Sequence, residues 1–306
     1  MINIVFFGTP VIALKSLEYL YNSDKINVLA VVTQPDKPAG RGHKLSMSPL
    51  KEFALSKGLP VFQPKSIRKE PEILEELKKL NPDFFVTFAF GQILSQDVLD
   101  IPKYETINLH ASLLPKYRGA NPIQRAIING EKETGICTMI TELGLDCGDV
   151  CLKEVIPISD NMTCVDLFEQ ISDKSPELIE KTLTGLVENT IKPQKQCEDG
   201  VCMANKLTKE ETLIDWSKPA EEIHNLVRGI YKFPSAYFKY NDRAVKVLET
   251  RVVEGSAPCG EFVRASKEGV IVGCAKDCIL LVKVKPEGKG EMSAKDWANG
   301  QRVIAK

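Results

Sequence analysis

The 306-residue sequence lacks any long apolar run and any segment typical of a signal peptide. Its longest apolar stretches, such as residues 83–90, are far shorter than the roughly 18 apolar residues of a membrane-spanning helix. The N-terminal MINIVFFGTP has neither a basic segment nor a cleavage site for secretion. We therefore expect a cytoplasmic protein that does not enter a membrane. The length predicts about two globular domains.

Signatures of metal and dinucleotide binding are also missing. The chain has three histidines, and none of its nine cysteines forms a CxxC pair. Cys274 and Cys278 have no second pair nearby, so we expect free thiols and no metal. The segment FFGTPVIAL contains one glycine where the dinucleotide fingerprint G-x-G-x-x-G has three, which disfavours a nicotinamide-dependent enzyme.

Charge is nearly balanced, because 40 basic residues oppose 41 acidic ones and the formal net charge is −1. This balance excludes a uniformly basic nucleic-acid binder. Residues 207–306 nevertheless carry 17 Lys and Arg against 14 Asp and Glu, whereas residues 1–206 carry 23 against 27. The asymmetry alone is weak support for an anionic partner.

The first 188 residues alternate strand and helix patterns and form one predicted domain. Residues 2–7 are a β-branched and aromatic run, apolar residues then recur at helical spacing, and a second strand is predicted at 28–33. Further strands are predicted at 84–89, 106–109, 136–141 and 150–156, and helices at 50–57, 70–80 and, as one helix or two, 165–187. This pattern predicts an α/β domain with an open Rossmann-like, mostly parallel sheet and helices on both faces.

Residues 189–206 are polar, contain Pro193 and Gly200, and are predicted to be a linker. In the following domain, residues 207–306, a helix is predicted at 219–231. Short strands are predicted at 236–240, 244–252, 260–263, 270–272 and 279–284. Short strands at such regular spacing predict a small C-terminal β-barrel of the oligonucleotide-binding type.

Candidate catalytic residues follow two of the predicted strands. In open α/β sheets a site forms at the carboxyl ends of strands, where His110 precedes the loop SLLPKYRGANP and where ELGLDCGD carries Asp146. Asn108 and His110 are two residues apart on a strand and therefore share a face. The three suit acyl-type transfer: Asn108 donates to an oxyanion, His110 moves a proton, and Asp146 fixes the histidine tautomer.

Each of these residues also has a structural interpretation. A strand-end histidine is more often a hydrogen-bonded structural group than a catalyst. Asn108 alone is typical of a turn, and Asp146 of a loop cap. Residue type and spacing therefore leave both a structural and a catalytic role open.

Longer motifs carry a family resemblance. The segment NLHASLLPKYRGANPIQ, together with FFGTP, TQPDKPAGRGHKL, FAFGQIL, GLDCGD and KLTKEETLIDWS, resembles the family of methionyl-tRNA formyltransferases, a branch of the folate-dependent formyltransferases. The match is nearly continuous over residues 4–158 and resumes in the second domain. The resemblance implies transfer of a formyl group from 10-formyltetrahydrofolate to the amino group of methionyl initiator tRNA, for translation initiation.

The same resemblance assigns the site residues. By motif, Asn108, His110 and Asp146 are the catalytic residues. Family members carry a cis peptide before the proline of SLLP, so the bond before that proline is predicted to be cis. The tetrahydrofolate cosubstrate is expected at two loops, formed by Phe88, Ala89, Phe90, Gly91, Ser112, Leu113, Leu114 and Pro115.

A tRNA footprint is expected in two places. Residues 33–47 are rich in Pro, Gly and Lys and contain one acidic residue, Asp36. By itself such a stretch is more often a solvated loop, but in the family this insertion reaches the acceptor stem of tRNA. The residues expected to contact tRNA are Lys37, Arg41, His43, Lys44, Lys206 and Lys209. Further basic residues that suit the phosphate backbone are Arg243, Lys246 and Arg251.

Other functions remain open on the sequence. One alternative is an enzyme with the same catalytic residues: either a formyltransferase that acts on an amino-sugar nucleotide, or a formyltetrahydrofolate hydrolase or dehydrogenase domain. A noncatalytic RNA-binding module is a further alternative, and the joint presence of Asn108, His110 and Asp146 argues against it. The GRGHK segment favours tRNA as the acceptor. We expect the protein to act as a monomer.

Overall fold

The computed structural model describes residues 1–39 and 44–301. The chain forms two compact units. The first comprises residues 1–119, 135–156 and 168–203, and the second comprises 120–134, 157–167 and the chain from 204 onward. The second unit thus takes in two segments that precede the predicted linker in the sequence. Among the described residues, no helix combines the length and the apolar character needed to cross a membrane.

The first unit is built on a mostly parallel sheet. The strands up to residue 204 are β1 (Ile2–Gly8), β2 (Ile26–Val32), β3 (Lys37–Ala39), β4 (Lys44–Ser46), β5 (Val61–Phe62), β6 (Phe84–Phe88), β7 (Glu105–His110), β8 (Arg118–Gly119), β9 (Glu133–Ile140), β10 (Val150–Pro157) and β11 (Met203–Ala204). Seven of them form one sheet in the order β10-β9-β7-β6-β1-β2-β5. The five neighbouring strands β7, β6, β1, β2 and β5 are parallel to one another, and β9 is antiparallel to β7.

Helices cover both faces of this sheet. The helices up to residue 187 are α1 (Leu14–Asn22), α2 (Pro49–Ser56), α3 (Pro71–Lys79), α4 (Gln96–Leu99), α5 (Pro122–Ile128) and α6 (Cys164–Val187), of which α5 belongs to the second unit. On one face Phe7 of β1 packs in a buried cluster with Leu77 of α3. On the other face Leu50 of α2 packs directly over Gly8. A Cβ on Gly8 would lie 2.7 Å from the Leu50 side chain and 3.1 Å from that of Phe6. Alternation along β1 therefore sends neighbouring side chains into two separate cores.

The second unit contains α5 and, from residue 204 onward, an antiparallel sheet with two more helices. Its elements are α7 (Ala220–Gly229), β12 (Tyr237–Tyr240), β13 (Arg243–Val253), β14 (Phe262–Ala265), β15 (Val270–Gly273), β16 (Cys278–Pro286), β17 (Met292–Ser293) and α8 (Ala294–Gln301). The order is β12-β13-β16-β15-β14, with β17 also paired to β16. The register between β13 and β16 shifts on either side of Glu249, and such irregularities bend a strand. The sheet curls into a half-barrel around the buried side chains of α7 and Trp297.

The predicted fold class, a Rossmann-like sheet followed by a small barrel-like domain, is confirmed. Two details differ from the sequence predictions, and the choice left open at 165–187 between one helix and two is settled. Residues 33–47, predicted as a loop, contain the antiparallel pair β3–β4. The region 165–187 is a single helix although Pro176 lies inside it. The seven-residue helix α5 had not been predicted, because it follows the polar site loop directly and spans only two turns.

Helix α7 holds one of the two early segments of the second unit. His224 Nε2 bonds the Asp160 carbonyl oxygen at 3.0 Å, and Nδ1 lies 2.9 Å from Thr250 Oγ1. Because a carbonyl only accepts, Nε2 carries the ring proton and Nδ1 accepts from the Thr250 hydroxyl. Arg228, which is buried, donates to two further carbonyls of the same segment at 3.2 and 3.0 Å. These bonds tie residues 157–167 to α7.

The neutral state of His224 predicts acid sensitivity in this unit. Burial lowers the pKa of His224, and the Arg228 charge lowers it further, although the Asp160 carbonyl opposes the shift. The unfolded chain therefore binds a proton that the folded unit does not, and the stability gained from neutral His224 is lost as the pH falls below about 6.5. The expected extra loss is at most about 1.4 kcal/mol per pH unit.

His224→Gln keeps an amide donor for Asp160 and removes the titration. Urea unfolding can be followed by the fluorescence of Trp216 and Trp297, both in the second unit. We expect a steeper loss of stability between about pH 7.5 and 5.5 for the wild type than for the variant. Parallel curves for the two proteins would contradict the assigned protonation state.

Candidate functional site

Strand β7 places Asn108 and His110 on one face at the carboxyl end of the parallel strands. Thr87 of β6 is paired with Asn108, and its hydroxyl donates to Asn108 Oδ1 at 2.8 Å. This bond turns Oδ1 towards Thr87 and leaves Nδ2 on the other side of the amide. In the part of the chain that the structure describes, Nδ2 has no hydrogen-bond partner. Asn108 thus presents an oriented, unused donor at the edge of the sheet.

His110 is buried, with 6% of its surface exposed, and each ring nitrogen has a different neighbour. Nε2 lies 2.9 Å from the carbonyl oxygen of Tyr117, so Nε2 carries the proton of the neutral ring. Nδ1 lies 3.6 Å from Asp146 Oδ2. The sequence interpretation gave the tautomer-fixing role to Asp146, whereas Tyr117 makes the bond that holds the proton on Nε2. Nδ1, which carries the lone pair of this neutral ring, therefore faces the carboxylate.

The loop after β9 brings Asp146 back to His110. Asp146 has a φ of 49°, in the left-handed region that Asp tolerates better than most residues. Its Oδ2 accepts a hydrogen bond from the Gly119 amide at 2.8 Å. Gly148 cannot carry a side chain, because a Cβ there would lie 2.0 Å from the Ile140 carbonyl oxygen. A tight glycine turn therefore aims the carboxylate at the imidazole.

The first predicted folate loop offers backbone rather than aromatic rings. The side chains of Phe88 and Phe90 are buried in the core. Ala89 and Gly91 are exposed and have φ values of 52° and 81°. Gln34 Nε2 donates to the Phe90 carbonyl at 3.1 Å, which ties the loop to the segment after β2. Residues 88–91 therefore present main-chain polar groups and two small residues to a ligand.

The second predicted folate loop, residues 112–115, is anchored by two side chains that donate to its main-chain carbonyls. Its Leu114–Pro115 bond is cis, which confirms the prediction. Ser112 and Leu114 are buried, whereas Leu113 and the proline are partly exposed. Lys153 Nζ donates to the Leu114 carbonyl at 2.5 Å, and Cys137 Sγ donates to the Ser112 carbonyl at 2.9 Å. Burial raises the pKa of the Cys137 thiol to about 11, so this group remains a neutral donor.

The six residues predicted to contact tRNA fall into three groups. Arg41 and His43 lie outside the described residues. Lys44 begins β4, which pairs with β3. The remaining three are exposed, Lys37 in the first unit and Lys206 and Lys209 in the second.

The one acidic residue of the 33–47 segment has a cationic partner outside it. Lys51 Nζ lies 2.6 Å from Asp36 Oδ2, and Gln63 Nε2 donates to the other carboxylate oxygen at 2.8 Å. The hydrogen bond from Lys51, followed by that from Gln63, lowers the pKa of Asp36. Lys51 therefore balances Asp36, and Lys37 is left without an opposing charge from this carboxylate.

Sequence reasoning missed Thr87 and Tyr117. Thr87 ends a predicted strand, but only the register between β6 and β7 shows that it meets Asn108. Tyr117 acts through its main-chain oxygen, which residue type does not reveal. Its φ of 62° comes from the fold of the loop and has no signal in the sequence.

Comparisons with known proteins identify the family of this chain. The sequence profile of the formyl transferase family matches residues 2–183, and that of the formyl transferase C-terminal domain matches residues 206–302. A methionyl-tRNA formyltransferase of Clostridium perfringens (strain 13 / Type A) is 46% identical over 303 residues, which cover 98% of this chain and 97% of that protein. The protein of the same name from Clostridium tetani is 44% identical over 306 residues, 99% and 98% of the two chains.

Solved structures share the fold. An N-formyltransferase from Helicobacter canadensis, in complex with folinic acid and dTDP-3-aminofucose, has a TM-score of 0.68 at 24% identity and covers 92% of this chain and 99% of its own. A methionyl-tRNA formyltransferase from Clostridium thermocellum has a TM-score of 0.60 at 17% identity, with 95% and 100% covered. On the profile match and the 46% identity along nearly its whole length, this chain belongs to the formyl transferase family.

Proposed function

We propose that this protein transfers the formyl group of 10-formyltetrahydrofolate to the amino group of methionyl initiator tRNA. The observation that carries the proposal is the cluster of Asn108, His110 and Asp146 in a chain 46% identical to a methionyl-tRNA formyltransferase over 98% of its length. The reaction forms a bond between the amine nitrogen and the formyl carbon and breaks the bond from that carbon to N10. One proton moves from the amine to N10.

Asn108 stabilises the charge that develops on the formyl oxygen. Its Nδ2 is a donor without a protein partner in the described chain, and the Thr87 hydroxyl holds the amide in that orientation. A donor that is already oriented needs no reorganisation when the tetrahedral intermediate forms. This is the property that an oxyanion-stabilising group requires.

His110 moves the proton through Nδ1. Tyr117 keeps the other nitrogen protonated, so Nδ1 carries the lone pair of the neutral ring. When Nδ1 takes the amine proton, the imidazolium that forms lies 3.6 Å from Asp146, and the carboxylate stabilises it. An α-amino group titrates near pH 7.7 to 8.0, roughly one unit above neutrality, so a weak base is sufficient.

The folate cosubstrate supplies the formyl carbon, and the two loops beside β6 and β7 have the surface that it needs. Exposed main-chain groups at Ala89 and Gly91 suit the donors and acceptors along a pterin edge. The partly exposed Leu113 and Pro115 offer apolar surface to its flat rings. The anchoring of Leu114 by Lys153 keeps this surface in place.

The tRNA footprint rests on two basic regions. In the first unit it includes Lys37, Arg41, His43 and Lys44, whose acidic neighbour in sequence, Asp36, is paired with Lys51. In the second unit it includes Lys206 and Lys209. There Arg125 of α5 donates to the Asn205 carbonyl at 3.1 Å and pairs with Glu211 at 2.6 Å, which anchors residues 205–211 to α5. A held segment presents its lysines to phosphates at less entropic cost.

The proposal is tested by formylation with 10-formyltetrahydrofolate and three acceptors: methionyl-tRNA, uncharged tRNA and an amino-sugar nucleotide. We expect product with methionyl-tRNA alone, as N-formylmethionyl-tRNA. Product with the sugar nucleotide and none with methionyl-tRNA would replace this function by that of the sugar-modifying relatives. Hydrolysis of the cosubstrate without any acceptor dependence would point to a hydrolase.

Asn108→Ala removes the proposed oxyanion donor. We expect kcat to fall by about 10² to 10³, the usual cost of one such donor, with little change in KM for either substrate. The matched control is Asn299→Ala, which changes an exposed asparagine of α8 and is expected to leave kcat unchanged. A kcat near that of the wild type for Asn108→Ala would remove Asn108 from the mechanism.

Lys37→Ala and Lys209→Ala each remove one proposed phosphate contact. We expect tRNA affinity to fall linearly in a double-logarithmic plot against salt, and each variant to reduce that slope by about 1. Lys79→Ala is the control, because Lys79 is exposed but already paired with Glu76 at 2.6 Å. Unchanged slopes for both variants would place the footprint elsewhere.

A further inference from the structure

Gln196 bridges two parts of the candidate site from the segment predicted to be a linker. Its Nε2 donates to the main-chain carbonyls of Asp146 and Gly148, at 2.8 Å each. Its Oε1 accepts from Arg118, 3.1 Å from Nε and 2.8 Å from Nη2. These four atoms belong to three residues of the first unit, and Gln196 is half-buried. The amide therefore has both ends occupied.

The chemistry of the partners settles which way the amide points. A guanidinium only donates, so the oxygen of Gln196 must face Arg118. Main-chain carbonyls only accept, so the nitrogen must face Asp146 and Gly148. Reversing the amide would break all four bonds at once. Glutamine is the residue type that serves a donor on one side and two acceptors on the other.

Arg118 and Gly119 also help to hold the turn that carries Asp146. The amide of Gly119 donates to Asp146 Oδ2, while Arg118 reaches Gln196. Asp146 is thus held by its side chain through Gly119 and by its backbone through Gln196. Without the hydrogen bonds from Gln196, this loop would be held at Asp146 only by the bond from the Gly119 amide. Glycines at 144 and 148 would then let the loop rotate about that bond. The carboxylate would then leave its place 3.6 Å from His110 Nδ1.

We propose that Gln196 is a positioning residue for the formyl transfer: it holds the Asp146 turn so that the carboxylate faces His110 Nδ1. The inference rests on the proposed function. The side-chain hydrogen bonds of Gln196 go to Arg118 and to the backbone of Asp146 and Gly148 and not to His110, so it acts through Asp146. Misplacement of a catalytic group by about 1 Å costs as much as 10²-fold in rate.

The test replaces Gln196 in two ways. Gln196→Met keeps the length of the side chain and removes every hydrogen bond. Gln196→Glu keeps an acceptor for Arg118 and replaces the donor to Asp146 and Gly148 by a second acceptor. Because Glu forms an ion pair with Arg118, this variant retains the anchoring of the segment and isolates the loss of the donor. The matched control is Gln194→Met, which changes an exposed glutamine two residues earlier.

The readouts are kcat and KM with methionyl-tRNA and 10-formyltetrahydrofolate. We expect kcat to fall at least about tenfold in both Gln196 variants, KM values to stay within about twofold, and Gln194→Met to match the wild type. In an Asp146→Ala background, Gln196→Met should have no further effect on the residual rate, because the group that it positions is gone.

Three results would overturn the inference. Wild-type kcat in Gln196→Met or Gln196→Glu would show that the bridge is not needed. A tenfold loss that persists in the Asp146→Ala background would show that Gln196 acts on the fold and not through Asp146. A rise in KM with unchanged kcat would assign it to binding. A wild-type protein that does not formylate methionyl-tRNA in the same assay would refute the proposed function instead, so the two failures are distinguishable.

Discussion

The candidate site depends on the hydrogen bond between His110 Nε2 and the carbonyl oxygen of Tyr117. To make it, the chain must leave β7, pass the cis proline and return within seven residues, which it does with a left-handed Tyr117. The bond satisfies a buried ring nitrogen and commits the other nitrogen to the side of Asp146. The return also delivers the Gly119 amide to the Asp146 carboxylate. One loop conformation therefore sets the tautomer and the position of its acidic neighbour.

The sheet fixes the positions of the residues that lie on its strands, because the register between paired strands decides which side chains are neighbours. The pairing of β6 with β7 puts Thr87 beside Asn108, and a hydroxyl-to-amide bond then decides which end of the amide is free. The last parallel strand is followed by an antiparallel one, so His110 lies opposite Cys137 of β9. Cys137 in turn bonds the loop after His110. Strand β7 supplies Asn108 and His110, and the loops supply the Asp146 carboxylate and the Tyr117 carbonyl.

Much of this arrangement could be predicted from the sequence. Strand alternation placed Asn108 and His110 on one face, and family motifs indicated the cis proline. The β3–β4 pair was missed because Pro38 and the flanking glycines are typical of turns and only pairing reveals a short hairpin. The bridge made by Gln196 has no periodicity at all, since its partners are main-chain carbonyls and an arginine 78 residues away. Contacts through backbone atoms leave almost no trace in residue type.

Local pairing also explains why the net charge of −1 says little about an anionic partner. Near the proposed footprint two acidic groups are paired with cations: Asp36 with Lys51, and Glu211 with Arg125. Hydrogen bonds from these cations lower the pKa of both carboxyls, so they stay charged but balanced near their partners. The charge that an approaching phosphate meets at Lys37 therefore depends on such local pairing and not on the net charge of the chain. Because charges beyond about 8 to 10 Å are screened at physiological salt, it is this local arrangement that a polyanion senses.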